Sequence, residues 1–359
     1  MDINVRIGDG AACNGYFWFS NVNANGLFRI DITSKKIEFV NFFPNVSADS
    51  YFLHKRCFEY HNRLFFIPAL SRRIDIYDIW KNEFSSIPFE NDIAGEAILD
   101  AIPINQILYI FPRNRNCEPI MLNMETFEIR SVEGFADEIN KYASKDNPEK
   151  FYRTCEYDGK IVFPISETDI IAVWNPNDDS FQTIHTRFNN IINVVAYDKH
   201  LYFTIREEYG LSILDLESSE IESISIKRPT SGKSLYGCIL IKDDSIVCAP
   251  SFGEYIHGYM GKSMSFEIKL DDSIAEYYKF FKAQVVKDDI WFLPMGIEEL
   301  YVLDSERLIH HYSLLLDDIG QKKYKAKLLE KRIESREVLM ENDEYTLNCY
   351  LALFNEKGI

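Results

Sequence analysis

Positive charge is in short supply in this 359-residue chain: 39 Lys and Arg face 56 Asp and Glu, a formal charge of −17. That balance argues against a general nucleic-acid binder, which must neutralise phosphates with a basic surface. It also argues against docking on an anionic membrane. No stretch approaches 18 consecutive apolar residues, so no membrane-spanning helix is expected. The start, Met1-Asp2-Ile3-Asn4, carries an acid and no apolar run, so no signal peptide is expected there. The seven cysteines form no C-x-x-C pair, and Cys57, Cys155, Cys238 and Cys248 lie in apolar runs. Reduced, buried thiols and a cytoplasmic setting are the expectation.

Catalytic signatures are missing too. The chain contains no G-x-S-x-G, no Walker-type phosphate loop, no H-E-x-x-H and no EF-hand loop. Seven scattered histidines include the adjacent His310 and His311, which a strand would point to opposite faces. Neither a metal site nor a cofactor is expected from these patterns.

What is abundant is apolar and aromatic residues: 46% are hydrophobic, with 26 Phe and 21 Tyr, enough for a large core and tilted toward β-structure. A short apolar block recurs, as Tyr16-Phe17-Trp18-Phe19, Leu64-Phe65-Phe66-Ile67, Leu108-Tyr109-Ile110-Phe111, Ile161-Val162-Phe163, Leu201-Tyr202-Phe203, Ile246-Val247-Cys248 and Ile290-Trp291-Phe292-Leu293. Successive starts are 48, 44, 53, 40, 45 and 44 residues apart. Before the blocks come alternating runs ending in pairs such as His61-Asn62, Asp158-Gly159 and Asp243-Asp244, which tolerate the positive φ of a tight hairpin. After them comes an apolar residue followed by Asp or Asn (Ile30-Asp31, Tyr77-Asp78, Leu122-Asn123, Trp174-Asn175, Leu214-Asp215, Leu303-Asp304). The carboxylate or amide is expected to bond its own downstream backbone and set a turn into a fourth strand. The sixth copy departs, with Lys269 where the carboxylate is expected.

Four antiparallel strands repeated about every 45 residues specify an all-β chain, a β-propeller of four-stranded blades. Seven blades are favoured, with six or eight if an end repeat is misread. The apolar-Asp step resembles the Trp-Asp step of WD-repeat proteins, and the strand order is similar to that of kelch repeats. The resemblance covers residues 1–313 and implies a propeller used for binding. Two departures stand out: no Gly-His pair accompanies the steps, and the double glycines of kelch repeats are absent in a chain with 16 glycines.

Residues 314–359 fall outside the repeats. Seven Lys and Arg between Gln321 and Arg336, set among strong helix formers, predict one helix. Thr346 ahead of Leu347, Tyr350, Leu351 and Phe354 predicts a second with an apolar stripe. The tail is expected either to pack on the propeller or to dock a partner as an amphipathic helix.

Turns between first and second and between third and fourth strands are short, whereas loops on the other face are long, which is where binding is expected on a rigid scaffold. Candidate ligand-binding residues on that face are Arg56, Arg72, Arg113, Arg153 and Arg206, with Lys55 and Lys282 alongside. Converging guanidinium groups suit an anionic ligand, while salt bridging to Glu118, Glu167, Glu298 and similar acids is the structural alternative. Ser251–Gly261 reads as an insertion whose Tyr255, His257 and Tyr259 offer flat surfaces for a sugar or peptide. The reading drawn is a non-enzymatic interaction module for a protein or peptide partner, an anionic small molecule or a glycan. The alternative is a carbohydrate-active or related small-molecule enzyme with Glu96, Glu167, Glu207 or Glu254 in a central depression.

Overall fold

Seven separate four-stranded antiparallel sheets make up the computed structural model, and each is built from four consecutive strands. Its described residues are 3, 5–69, 73–89, 97–143, 151, 153–206, 210–225, 235–270, 280, 282–294 and 297–334. The chain is a seven-bladed β-propeller. The innermost strands are β1 (Ile7–Cys13), β5 (His54–Tyr60), β9 (Ile98–Ile104), β13 (Cys155–Tyr157), β17 (Ile191–Tyr197), β21 (Leu235–Lys242) and β25 (Lys282–Val286). Each is followed outward by three more, ending with β28 (Ile309–Ser313). A short helix, α1 (Phe135–Asn140), joins blades three and four, and α2 (Asp318–Glu334) follows blade seven.

The recurring apolar blocks are the second strands of their blades, buried on both faces. Phe17, Phe65, Phe66, Phe111, Phe163, Phe203, Phe292 and Trp291 are wholly enclosed between neighbouring sheets. Their continuous apolar character is the mark of a strand sandwiched on both sides. Hairpins between first and second strands are two residues long. In Asn14-Gly15, His61-Asn62, Asp158-Gly159, Asp198-Lys199 and Asp243-Asp244 both central residues have positive φ, the type I′ turn that matches strand twist.

The apolar-Asp step also behaves as expected. Asp31 Oδ1 accepts from the Thr33 and Ser34 N–H groups at 2.9 and 2.7 Å, and Asp215 Oδ1 accepts from Glu217 and Ser218, both at 2.8 Å. Asp78, Asn123 and Asp304 repeat the arrangement. Backbone N–H donors, Ser34 and Ser218 foremost, hold the Asp31 and Asp215 carboxyls below their ordinary range.

Blade six corrects the sequence reading. Ser251–Gly261 is not an insertion: β22 (Ser245–Phe252) runs into a tight turn, β23 (Tyr255–Met260) follows, and β24 is Ser263–Lys269. Lys269 therefore ends the fourth strand, and the turn after the third is made by Gly261 at φ 56 instead of by an Asp. Gly258 has a structural role in this blade: a Cβ there would lie 2.1 Å from the Phe266 ring. With no side chain to fill that space, the outer strand packs directly on the backbone.

α2 begins three residues before the expected start and lies on blade one. The Tyr324 ring sits 4.8 Å from Phe39, 5.2 Å from Phe42 and 6.2 Å from Phe28. Leu314, Leu316 and Leu328 join the core shared by blades seven and one. Thr346, Leu347, Tyr350, Leu351 and Phe354 lie outside the described residues. Among the described residues no helix is long and apolar enough to cross a membrane.

Candidate functional site

Each innermost strand enters from the loop-rich face, and its first residues ring the central channel there. Four of these strands deliver charge to one place. Arg56, third residue of β5, reaches Asp9 of β1 (Nε to Oδ2, 3.3 Å) and Asp100 of β9 (Nη1 to Oδ1, 3.2 Å). Lys282, opening β25, lies 2.9 Å from Asp9 Oδ2, and also donates to the Lys55 carbonyl at 3.3 Å. The remaining lone pairs of the carboxylates are filled. Asp9 accepts from the Cys57 N–H at 3.1 Å and from Gln284 Nε2 at 2.8 Å. Asp100 accepts from the N–H and hydroxyl of Thr154, at 3.1 and 3.0 Å, and from its neighbour Ala101.

Burial in this cluster is uneven. Asp9 and Asp100 keep 6% and 7% of their side chains exposed and Lys282 11%, whereas Arg56 keeps 24%. Arg56 is thus the least buried of these four side chains. Its Nε is close to Asp9 but not aligned for a hydrogen bond, and no partner bonds it.

Charge states follow from burial set against neighbours. Burial alone would raise the Asp100 carboxyl, but Arg56, Lys282 and the Thr154 and Ala101 N–H groups outweigh it and hold it low. Burial pushes the Lys282 ammonium down and Arg56 adds to this, while Asp9 and Asp100 offset only part, leaving it at about 7. Arg153 stands just before β13, next to Thr154. Burial lowers its guanidinium and Arg56 adds to this, against the opposing effects of Cys238, Asp100 and Asp9. Lys55, beside Arg56 on β5, turns its ammonium to the Ile98 carbonyl at 2.9 Å.

The other expected site residues are dispersed. Arg113 and Arg206 are exposed on loops between second and third strands of blades three and five, on the same face but outside the cluster. Arg72 lies outside the described residues, as do Glu96 and Glu207. His257 and Tyr259 are inside blade six: His257 is 2% exposed and accepts or donates at both ring nitrogens, to Tyr236 Oη (2.7 Å) and Glu267 Oε2 (3.0 Å). Tyr259 is fully buried and 3.4 Å from the Tyr236 hydroxyl. Burial consumes the surfaces expected to stack on a ligand, while Tyr255 at the start of β23 stays half-buried. Glu118 is a capping residue, accepting from the Gly134 and Ala136 N–H groups at α1.

A Ser–His–Asp array that sequence reading missed lies between blades one and two. His54 bonds Ser20 Oγ through Nδ1 (2.9 Å) and Asp75 through Nε2 (3.1 Å), and Arg73 Nε donates to Asp75 at 2.7 Å. All three triad positions are buried, with the imidazole packed on Phe43 and Phe66. The N–H groups following Ser20, those of Asn21 and Val22, already donate to the Gly26 and Arg6 carbonyls. An acyl group would find neither space nor an oxyanion hole, so the array is a structural tie. Among the described residues no group of three or more His, Cys, Asp or Glu is placed to hold a metal ion.

No family model matches the chain, and no curated protein matches it. Solved structures do. Virginiamycin B lyase from Staphylococcus aureus is similar with a TM-score of 0.55 at 14% identity, over 74% of this chain and 85% of that one. The dihydro-heme d1 dehydrogenase NirN gives 0.56 at 12%, over 83% and 63%. The extracellular domain of BT4673 from B. thetaiotaomicron gives 0.57 at 12%, over 81% and 39%. Such likeness establishes the propeller fold. It establishes neither kelch nor WD-repeat membership.

Proposed function

We propose that the protein is a ligand-binding propeller whose loop-rich face takes an anionic group, free or on a protein or peptide partner, at the mouth of the central channel. The observation that carries this is the cluster of Arg56 and Lys282 on Asp9 and Asp100 there, with Lys55 and Arg153 adjoining it along the chain, in a protein of net charge −17. An arginine side chain that keeps about a quarter (24%) of its surface exposed, backed by two carboxylates that fix its orientation, is pre-organised to receive carboxylate or phosphate oxygens. Arg113 and Arg206 on the surrounding loops would extend contact to a larger acidic partner. No disulfide joins the described cysteines, which goes with the cytoplasmic setting proposed for it.

The enzymatic alternative needs a carboxylic acid able to donate a proton. Asp9 and Asp100, the carboxylates at the centre, are saturated with donors, and Asp100 is held ionised. Binding is therefore the reading the cluster favours. Titration calorimetry with citrate and with a polyglutamate peptide tests it. Saturable binding that weakens with salt and is lost in Arg153→Met and reduced in Arg56→Lys is the expected result. Lack of binding, or unchanged affinity in both folded variants, overturns it.

A further inference from the structure

On the opposite, tight-turn face, two blade junctions built from the same repeat positions differ. Between blades two and three, Tyr60, the last residue of β5, donates its hydroxyl to Glu125 at 2.8 Å. Phe127, at positive φ in the turn between β11 (Ile120–Asn123) and β12 (Ile129–Ser131), packs 6.2 Å from Phe65. These two rings close the junction. Between blades six and seven the matching positions are Lys242, last residue of β21, and Arg307, at φ 66 in the turn before β28. There a cavity of about 210 Å³ remains, floored by Val247, Ile290 and Leu303, walled by Phe266 and lipped by Met260. Met260 is 55% exposed, an apolar side chain facing water at the rim.

The charges around it are unequal. Lys242 Nζ lies 3.0 Å from Asp243. Asp304 spends one oxygen on the N–H groups of Glu306 and Leu308 and the other on His310. Arg307 touches the Ser265 carbonyl at 3.3 Å and lies 5.0 Å over the Phe266 ring, and among the described residues no carboxylate is within ion-pair distance of it. A space with an apolar floor and a polar rim that includes Asp243 and Asp304, in which two rings are replaced by cations, one of them lacking a carboxylate partner among the described residues, defines a ligand of matching shape and charge.

We propose that this cavity binds a small aromatic carboxylate. Its ring would occupy the volume that Tyr60 and Phe127 fill in the other junction, and its carboxylate would pair with Arg307. This site is independent of the channel mouth, since it uses the other face and none of the same residues. Methionine-methyl NMR with phenylacetate as probe and 2-phenylethanol as its uncharged counterpart tests it, the Met260 signal being assigned with Met260→Leu. Phenylacetate should shift the Met260 methyl saturably and bind about tenfold more tightly than the alcohol, the ratio worth about 1.4 kcal/mol. Arg307→Gln, at an exposed position, should erase that ratio, and Lys242→Tyr should block both probes. No saturable shift up to about 10 mM phenylacetate, equal affinity for the two probes, or an unchanged ratio in Arg307→Gln overturns the proposal.

Discussion

The junction between blades seven and one and that between blades six and seven solve the same packing problem to different depths. At the first the chain's two ends of the propeller meet, and no strand is shared to bind them, because every sheet is made of consecutive strands. It is closed at every radius. Lys282 and Gln284 reach Asp9 at the channel, and Gln284 also donates to the Gly10 carbonyl at 2.7 Å. Midway, the Phe17 and Trp291 rings meet at a tilt with centroids 5.1 Å apart, and at the turns Lys35 pairs with Asp289. Outside, α2 covers blade one. The second junction is crossed by continuous chain and retains a cavity. Covalent continuity makes ring opening there self-limiting, because the loop entropy regained is small. Where the chain does not cross, side chains must supply the whole of the closure.

Breaking the tight junction should give the largest effect. Tyr324→Ala removes the ring on which Phe28, Phe39 and Phe42 converge and should cost about 3–5 kcal/mol. Deleting 317–359 should cost at least as much and expose apolar surface. Both are read from denaturant midpoints and dye binding; an unchanged midpoint in the truncated protein would show that α2 does not fasten the ring.

Next is the channel end of the same junction. Asp9→Asn leaves Lys282 and one side of Arg56 facing an amide. Breaking a fully buried pair costs about 3–5 kcal/mol, and the partial exposure of Arg56 reduces this to about 2–3 kcal/mol. Asp100→Asn, which keeps Lys282 and Asp9 together, should cost less. Reversal of that order in urea midpoints would move the weight of the cluster from the ring-closing pair to the Arg56–Asp100 pair.

The Lys282 ammonium gives the junction a pH signature. Its folded-state value of about 7 lies below the unfolded one near 10.4. Between these values the unfolded chain binds more protons, so this contribution to stability grows as pH rises and is lost as pH falls toward 7. Relative to Lys282→Met, wild type should gain about 2 kcal/mol between roughly pH 7 and 9 and little more below. Parallel pH profiles for the two proteins would contradict this.

The repeat plan was legible because each blade states it locally. Apolar blocks, hairpin pairs and Asp turns act within a few residues, so Asp31 and Asp215 do in space what their spacing announces. Blade six misled for a local reason as well: Gly261 replaces the carboxylate that marks the third strand's end, so the segment lost its punctuation. At the cluster, Arg56 and Lys282 were legible from their place at strand starts. Asp9 and Asp100 were not, since they gain meaning only when blades one, two, three and seven meet at the axis. His257 and Tyr259 were misplaced because an aromatic-rich strand and an aromatic-rich loop look alike until burial is known.

The smallest expected effect sharpens the contrast most directly, because it converts the looser junction into the tighter kind. Lys242→Tyr places at the end of β21 the ring that Tyr60 supplies at the end of β5, over the same apolar floor of Val247, Ile290 and Leu303. Filling existing space adds buried apolar area without displacing packed neighbours, and the lost Lys242–Asp243 pair is largely solvent-facing on its acidic side, 84% exposed. A gain of about 0.5–1 kcal/mol is expected, the range of a cavity-filling change. Tyr60→Lys in the closed junction should do the reverse and cost more, since it opens a packed space and strips Glu125 of its hydroxyl donor. Measured together by denaturant midpoints, the two substitutions form an exchange between junctions. Stabilisation by the first and destabilisation by the second would establish that the cavity is set by those repeat positions. Loss of stability in both would mean that the cavity's walls are shaped for something other than a side chain of this protein.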